Sequence, residues 1–172
     1  MIIPLLDLRR QYRRLEEEIN KAVFDVMARG RFTLGPEVEL FEKEFASFIG
    51  TKYAVGLASG TDALTLSLKA LHLGRGDEVI LPANAYPTAF GVALSGVTIK
   101  LVDVKEDDAT LDPSKLPGAV TRRTRAIIPV HLYGNVADLL LMNRFISSKH
   151  KKIFIIEDAA QAHGALLRQG FG

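Results

Sequence analysis

The sequence contains no cysteine, so disulfide bonds and thiolate metal sites are excluded. Its four histidines lack the spacing of metal ligands, and we expect no metal site. No stretch approaches the roughly 18 apolar residues that a membrane-spanning helix needs. At the amino terminus a short apolar segment precedes the basic residues, which is the reverse of a secretory signal. These absences predict a soluble, cytoplasmic protein without a membrane partner.

The chain also has little excess charge of either sign. Its formal net charge is +2, too small to indicate a nucleic-acid partner on electrostatic grounds. One basic group, formed by Arg122, Arg123 and Arg125, joins a predicted helix to a predicted strand, and we interpret it as a solvated turn. Hydrophobic residues make up 48% of the 172 positions, enough for the core of one domain or a large part of a bigger one.

The amino-terminal part of the chain predicts two helices. Apolar residues recur at helical spacing over residues 8–28, Asp7 precedes them as a candidate N-cap, and Gly30 ends the run. A proline opens a second helical segment over residues 36–49, and Gly50 lies just beyond it. Both segments therefore carry start and stop signals as well as helical periodicity.

Further along the chain, short apolar strands alternate with segments of helical length. Strands that are apolar throughout are typical of a parallel sheet covered on both faces. The alternation predicts an α/β fold, with a mostly parallel, doubly wound sheet flanked by helices on both faces. The predicted strands are residues 53–58, 78–81, 97–102, 126–130 and 153–156. The predicted helices between them are residues 60–73, 86–94 and 137–150.

Polar, aromatic or glycine-bearing segments follow four of the predicted strands. In open α/β sheets, ligands bind beyond the carboxyl ends of the strands. We therefore expect the functional site among the segments SGTDAL, PANAYPTA, HLYG and EDAAQAHG.

The segment SGTDAL opens a predicted helix directly after a predicted strand. Unpaired N–H groups at a helix amino terminus attract anions, Gly60 would let a phosphate approach the backbone, and the Ser59 and Thr61 hydroxyls add donors. An N-cap by Ser59 or Thr61 explains the same residues, so the segment alone leaves both interpretations open. The chain has no P-loop signature, no dinucleotide-binding glycine pattern and no nucleophile elbow.

Asp158 follows a strand that the sequence indicates to be central and buried. A buried carboxylate is costly unless it is paired or well hydrogen-bonded, and one use for it is to hold a protonated pyridine nitrogen. The alternative is that Asp158 caps a helix beginning at Ala159. Gln161 and His163 follow closely and are expected to face the same pocket, whereas Glu157 should point away because side chains alternate along a strand.

Three further residues have two interpretations each. Tyr86, in PANAYPTA, either stacks on a flat ring or packs in the core or a loop. His131 and Tyr133, in HLYG, either approach a substrate or form structural hydrogen bonds.

Taken in order, these segments resemble the DegT/DnrJ/EryC1/StrS family, which consists of pyridoxal 5'-phosphate (PLP)-dependent sugar aminotransferases of fold type I. The matching segments are PLLDL, RGRFTLGPEVELFEKEFASFIG, KYAVGLASGTDALTLSLKAL, GDEVILPANAYPTAFGVALSGV, TRAIIPVHLYGNVADL and IIEDAAQAHGA. The resemblance implies a helix-and-loop arm over residues 1–35 and an incomplete large PLP-binding domain over residues 36–172. It also implies that the small carboxyl-terminal domain is absent.

The resemblance further implies PLP as the cofactor, a nucleotide-linked keto sugar as the substrate, glutamate or glutamine as the amino donor, and a homodimer. Asp158 is the implied catalytic residue, and no role is implied for His163. The implied cofactor-binding residues are Ser59, Gly60 and Thr61 at the phosphate, Tyr86 on the pyridine ring, Asp158 at the ring nitrogen and Gln161 beside the ring oxygen.

The Schiff-base lysine of the family lies beyond the EDAAQ segment, in a part that this chain does not reach. Lys149, Lys151 and Lys152 precede the last predicted strand and should lie at its amino end, away from the site. We therefore expect the chain as given to be catalytically incomplete. Three functions stay open, namely an aminotransferase, a deoxysugar dehydratase in which histidine replaces the lysine, and a non-catalytic remnant or binding module. The sugar, the nucleotide and the pathway, for example polysaccharide biosynthesis, are also open.

Overall fold

The computed structural model describes Pro4, residues 6–148 and residues 152–166 of the chain. The chain divides into two compact units, Met1–Gly56 and Leu57–Gly172. The domain boundary that the sequence suggests after residue 35 stays a prediction. Within the described residues, no helix has both the length and the apolar character needed to cross a bilayer.

The first unit contains the two helices predicted at the amino terminus. Helix α1 spans Leu8–Arg29, and the Asp7 side chain caps it by accepting the Arg10 N–H at 3.0 Å. Helix α2 spans Pro36–Ile49, with the proline in its first turn. Gly30 and Gly50 end the two helices in the left-handed conformation, with φ of 66° and 78°. Both predicted helices are confirmed, because their start and stop signals are local.

The strand predicted at residues 53–58 is wrong. This segment has no regular secondary structure, and no strand of the described chain pairs with it. Its contacts are to side chains instead, since Glu42 Oε1 accepts the Gly56 N–H at 2.7 Å and the Thr51 hydroxyl donates to the Tyr53 carbonyl at 3.1 Å. An apolar pattern favours a strand, but the ladder of hydrogen bonds also needs a neighbour.

The second unit contains a parallel four-stranded sheet in the order β2-β1-β3-β4. The predicted α/β fold is confirmed. Strand β4 lies at the edge of the sheet in the described part of the chain, not at its centre as the sequence indicated. The strands are β1 at Glu78–Pro82, β2 at Thr98–Val102, β3 at Thr124–Ile127 and β4 at Phe154–Ile155.

The three helices predicted in this unit are confirmed with shorter ends. They are α3 at Gly60–Ala70, α4 at Tyr86–Ala93 and α6 at Leu139–Ser147. The predicted end of the last helix, His150, lies outside the described residues. The short helix α5 at Leu116–Ala119 and the 3₁₀ turns at Pro113–Lys115 and Leu132–Gly134 were not predicted, because they are too short to show periodicity.

Alternate residues of β1 supply two separate hydrophobic cores, one on each face of the sheet. Val79 and Leu81 pack with residues of α3 and α4, whereas Ile80 packs with residues of α5 and α6. All three side chains are fully buried. Helices therefore cover both faces, which explains why β1 is apolar throughout.

The expected solvated turn is confirmed for Arg122 and Arg123, which are exposed, but Arg125 is the second residue of β3 and is half-buried. Arg123 and Arg125 are paired with acidic residues. Glu78 is buried at the start of β1, where Arg123 Nε lies 2.8 Å from Oε1 and the Thr121 hydroxyl donates to Oε2 at 2.5 Å. The hydrogen bond from Thr121, together with Arg123, holds the pKa of the Glu78 carboxyl below its ordinary value. Arg125 Nε lies 3.4 Å from Asp77 Oδ1. This turn thus joins the amino ends of β1 and β3.

Candidate functional site

Pairing between the last two strands continues past their ends and positions Asp158 at the carboxyl edge of the sheet. Val130 and Asp158 form a parallel bridge. The Asp158 N–H donates to the Pro129 carbonyl and the His131 N–H donates to the Asp158 carbonyl, each at 3.0 Å. The backbone of Asp158 is therefore part of the sheet, at the edge where ligands of α/β proteins bind.

The Asp158 side chain is held by two donors. The Thr88 hydroxyl donates to Oδ2 at 2.6 Å, and the Ala160 N–H donates to Oδ1 at 3.3 Å. The alternative, a cap on a helix beginning at Ala159, is excluded, because residues 160–161 and 163–164 form turns and no helix follows Asp158 in the described chain. Asp158 thus orders a turn of its own segment and also contacts α4, which a simple helix cap would not do.

Ser59 is the N-cap of α3, and this interpretation is confirmed. Its hydroxyl oxygen accepts the Asp62 N–H at 3.1 Å and lies 3.0 Å from Asp62 Oδ2, to which it donates its proton. Among the described residues, the N–H groups of Gly60 and Thr61 have no acceptor. A Cβ atom at Gly60 would meet nothing within 4 Å, so the space above this turn is open.

Helices α3 and α4 pack closely just behind that turn. A Cβ atom at Gly91 would lie 2.9 Å from the Thr61 carbonyl oxygen, closer than real Cβ contacts. The Thr65 hydroxyl lies 2.7 Å from the Gly91 carbonyl oxygen and 2.9 Å from that of Thr61, so it can donate to either. The first turn of α3 therefore packs directly against α4. Sequence reasoning missed Thr65 and Gly91, since neither follows a strand.

Gln161 contacts the backbone of the HLYG segment. Its Oε1 accepts the Tyr133 N–H at 2.7 Å, which leaves the two N–H donors of the amide for other partners. Tyr133 has φ of 55° and ψ of 21°, a left-handed conformation that is uncommon for a residue with a side chain. Its ring is exposed, so Tyr133 is not a core residue.

His131 is buried and has a defined tautomer. Its Nδ1 accepts the Ala137 N–H at 3.0 Å, so the ring proton lies on Nε2, which is 3.0 Å from Glu157 Oε2. The structural interpretation of His131 is therefore supported. The Glu157 side chain therefore contacts His131 in the segment after β3, and it is half exposed. His163 is exposed.

Tyr86 is the first residue of α4 and its side chain is 73% exposed, which excludes core packing. The only ring described near it is that of Phe90, at 6.0 Å between centroids and tilted by 55°. One broad face of the tyrosine is thus available at the amino end of α4, two residues before Thr88. Whether a cofactor ring stacks there stays a prediction.

These groups suit the chemistry of PLP. Free backbone N–H groups and an open glycine at the start of α3 fit a phosphate, and a fixed carboxylate at the end of β4 fits a protonated ring nitrogen. The free amide N–H groups of Gln161 fit an anionic ring oxygen. No residue of this set conflicts with the group.

Comparison with known proteins agrees with this assignment. Residues 13–170 match the model of the DegT/DnrJ/EryC1/StrS aminotransferase family, and the chain belongs to that family. It is 47% identical over 167 residues to the dTDP-3-amino-3,4,6-trideoxy-alpha-D-glucose transaminase of Streptomyces venezuelae, covering 96% of this chain and 44% of that protein.

Two solved structures show the same fold. The Streptomyces venezuelae protein DesV in complex with a ketimine intermediate superposes with a TM-score of 0.89 at 45% identity, covering 94% of this chain and 43% of that one. A GDP-4-keto-6-deoxymannose-3-dehydratase with a trapped PLP-glutamate geminal diamine superposes with a TM-score of 0.80 at 32% identity, covering 89% and 41%. The chain therefore spans less than half the length of these relatives, and the expected cofactor class, PLP, is confirmed for the family.

Proposed function

We propose that this chain forms the cofactor-binding part of a PLP-dependent aminotransferase that acts on a nucleotide-linked keto sugar. The observation that carries the proposal is the Asp158 carboxylate, which two donors orient at the carboxyl edge of the sheet. The substrate class is supported by the similar transaminase that acts on a dTDP-linked amino sugar. Glutamate or glutamine is the proposed amino donor.

The residues of the chain have distinct roles in this proposal. The N–H groups of Gly60 and Thr61 bind the cofactor phosphate at the start of α3, where the helix dipole favours an anion. The Ser59 hydroxyl, which donates a hydrogen bond to the Asp62 carboxylate in this structure, donates to the phosphate instead when the cofactor is bound. Tyr86 lies on one face of the ring.

Two side chains act on the ring itself. Asp158 holds the proton on the ring nitrogen, and the Gln161 amide donates to the ring oxygen. PLP held there with its ring nitrogen protonated would supply an electron sink for amino transfer.

We propose that the lysine that bonds covalently to the cofactor comes from outside this chain. Of Lys149, Lys151 and Lys152, only Lys152 is among the described residues. It precedes β4 and so lies at the amino end of the strand, opposite to Asp158. The chain by itself would therefore hold the cofactor without the covalent bond. We further propose that the protein is a cytoplasmic homodimer and that it acts in polysaccharide biosynthesis.

A dehydratase is the second candidate. It is supported by the similarity to the GDP-4-keto-6-deoxymannose-3-dehydratase, which shares the fold of this chain. A non-catalytic binding module that uses the same phosphate-binding turn is the third. A histidine in place of the lysine in the full-length gene product, with loss of water from the sugar, would favour the dehydratase.

The full-length gene product tests the proposal. We expect it to carry a chromophore that absorbs at longer wavelengths than the protein itself. Borohydride should abolish this chromophore absorbance by reducing the covalent bond between lysine and cofactor. With glutamate and a keto sugar nucleotide, an amino sugar should form. A protein without any bound chromophore would contradict both enzymatic candidates, and a chromophore with elimination of water alone would replace the first candidate by the second.

A further inference from the structure

Thr88 is a buried polar residue whose hydroxyl reaches the proposed catalytic carboxylate. It is 3% exposed and is the third residue of α4. Its Oγ1 lies 2.6 Å from Asp158 Oδ2, although the two residues are 70 positions apart in the sequence. A hydroxyl at this distance from a carboxylate forms a charge-assisted hydrogen bond, which is stronger than a bond between neutral groups.

This contact determines which parts of the carboxylate remain available. An ionised aspartate accepts about four hydrogen bonds, two on each oxygen. Thr88 occupies one position on Oδ2 and the Ala160 N–H occupies one on Oδ1, at 3.3 Å. Because both donors belong to the protein, the side chain cannot rotate without losing one of them. With the donors that the described residues supply, one position on each oxygen is left for a donor of the ligand.

The element that carries Thr88 is itself held in place. Gly91 lies one turn further along α4, in contact with Thr61 of α3, and the Thr65 hydroxyl lies within hydrogen-bond distance of its carbonyl. The same helix begins with Tyr86, and its amino end favours a nearby negative charge. Helix α4 therefore connects the phosphate-binding turn, the exposed aromatic ring and the carboxylate.

We propose that Thr88 is the positioning residue of Asp158 and that its hydroxyl holds the carboxylate in the orientation that binds a protonated ring nitrogen. The inference rests on the proposed function, since it assigns Asp158 to the ring of PLP. Thr88 does not touch the cofactor and acts through Asp158. A threonine that only joined α4 to the segment after β4 would affect stability and nothing specific to the ring.

The test uses the full-length gene product loaded with PLP. Thr88→Val removes the hydroxyl and keeps the shape, and Thr88→Ser keeps the hydroxyl. Three quantities are measured: the pH midpoint of the absorbance change of the bound cofactor, the rate of cofactor loss on dialysis, and kcat and KM. Asp158→Asn is measured alongside them. Thermal unfolding of the cofactor-free form of each variant shows whether it is folded.

We expect Thr88→Val to shift the absorbance midpoint and to lower kcat on the order of 10- to 100-fold with little change in KM for the sugar, as the loss of a hydrogen bond to a charged group predicts. Thr88→Ser should keep an absorbance midpoint and a kcat close to those of the wild type. If Thr88→Val does not fold, Thr88→Ala removes the same hydroxyl and is interpreted in the same way, with Thr88→Ser as its control.

The outcomes separate this inference from the proposed function. If Asp158→Asn leaves the spectrum and the turnover unchanged, the assignment of Asp158 is wrong, whatever Thr88 does. If Asp158→Asn alters them and Thr88→Val matches the wild type, Thr88 is not a positioning residue and the proposed function stands. A variant that lowers only the unfolding temperature, with an unchanged absorbance midpoint, likewise overturns the inference.

Discussion

Gly91 of α4 lies so close to Thr61 of α3 that a Cβ atom at position 91 would be 2.9 Å from the Thr61 carbonyl oxygen and 3.1 Å from Leu64 Cβ. Real Cβ atoms essentially never approach a backbone atom this closely, so a side chain at position 91 would force the local backbone to shift. The position of the first turn of α3 therefore depends on the absence of a side chain in α4.

Gly91→Ala should displace the start of α3 and weaken cofactor retention. We expect a loss of about 1–3 kcal/mol in the free energy of unfolding, as for overpacking in a core. Denaturant unfolding and the rate of cofactor loss on dialysis measure the two effects. Gly118→Ala is the matched control, because a Cβ atom in this helical glycine of α5 meets nothing within 4 Å. Equal behaviour of the two variants would contradict the close contact.

Under the proposed function, Asp158→Asn should lower turnover of the full-length gene product by orders of magnitude, since a neutral amide would not hold the proton on the ring nitrogen. Steady-state kinetics and the cofactor spectrum check this expectation. The neighbouring Glu157→Gln is the control, because a glutamine oxygen can still accept from the His131 ring and the side chain is half exposed. Unchanged kinetics in Asp158→Asn would remove the proposed role of this residue.

Gln161→Glu should separate the observed contact of that amide with Tyr133 from its proposed contact with the ring oxygen. A glutamate oxygen can still accept the Tyr133 N–H, but it cannot donate to the ring oxygen and it adds a negative charge beside it. We expect an altered cofactor spectrum at nearly unchanged thermal stability. In Gln161→Ala the contact with Tyr133 is lost as well, so the unfolding temperature should also fall. A wild-type spectrum in Gln161→Glu would show that the amide does not face the ring.

Glu78 should make the stability of the fold depend on pH in the acid range. Its pKa in the folded state lies below the ordinary value of 4.5, through the hydrogen bond from Thr121 and the pairing with Arg123. Its contribution is therefore complete above about pH 4.5 and is lost as the pH falls through the lower pKa of the folded state.

At neutral pH, Glu78→Gln should cost about 1–3 kcal/mol, and the variant should lose less stability than the wild type on acidification. Urea unfolding at several pH values measures both. The exposed Glu106→Gln should change stability by less than about 0.5 kcal/mol and serves as the control. Parallel pH profiles for Glu78→Gln and the wild type would show that the buried carboxylate does not contribute.

Much of this protein follows from the sequence because the signals are local. Asp7, Gly30 and Gly50 bound α1 and α2 as expected, since caps act within one helical turn. The alternation of apolar strands and helices predicted a parallel sheet covered on both faces, and the position of Asp158 after its strand predicted that it lies at the carboxyl edge of the sheet. Ser59 capped its helix for the same local reason.

The tertiary structure decided what depends on distant partners. The apolar segment at residues 53–58 is not a strand because no neighbour in the described chain completes its ladder. Thr88 could not be paired with Asp158 from the sequence, and neither could Gly91 with Thr61, because packing of α3, α4 and the sheet brings them together. A sequence pattern encodes which residues are buried or capped within a few positions, whereas a contact across 70 residues exists only once the elements between them have packed.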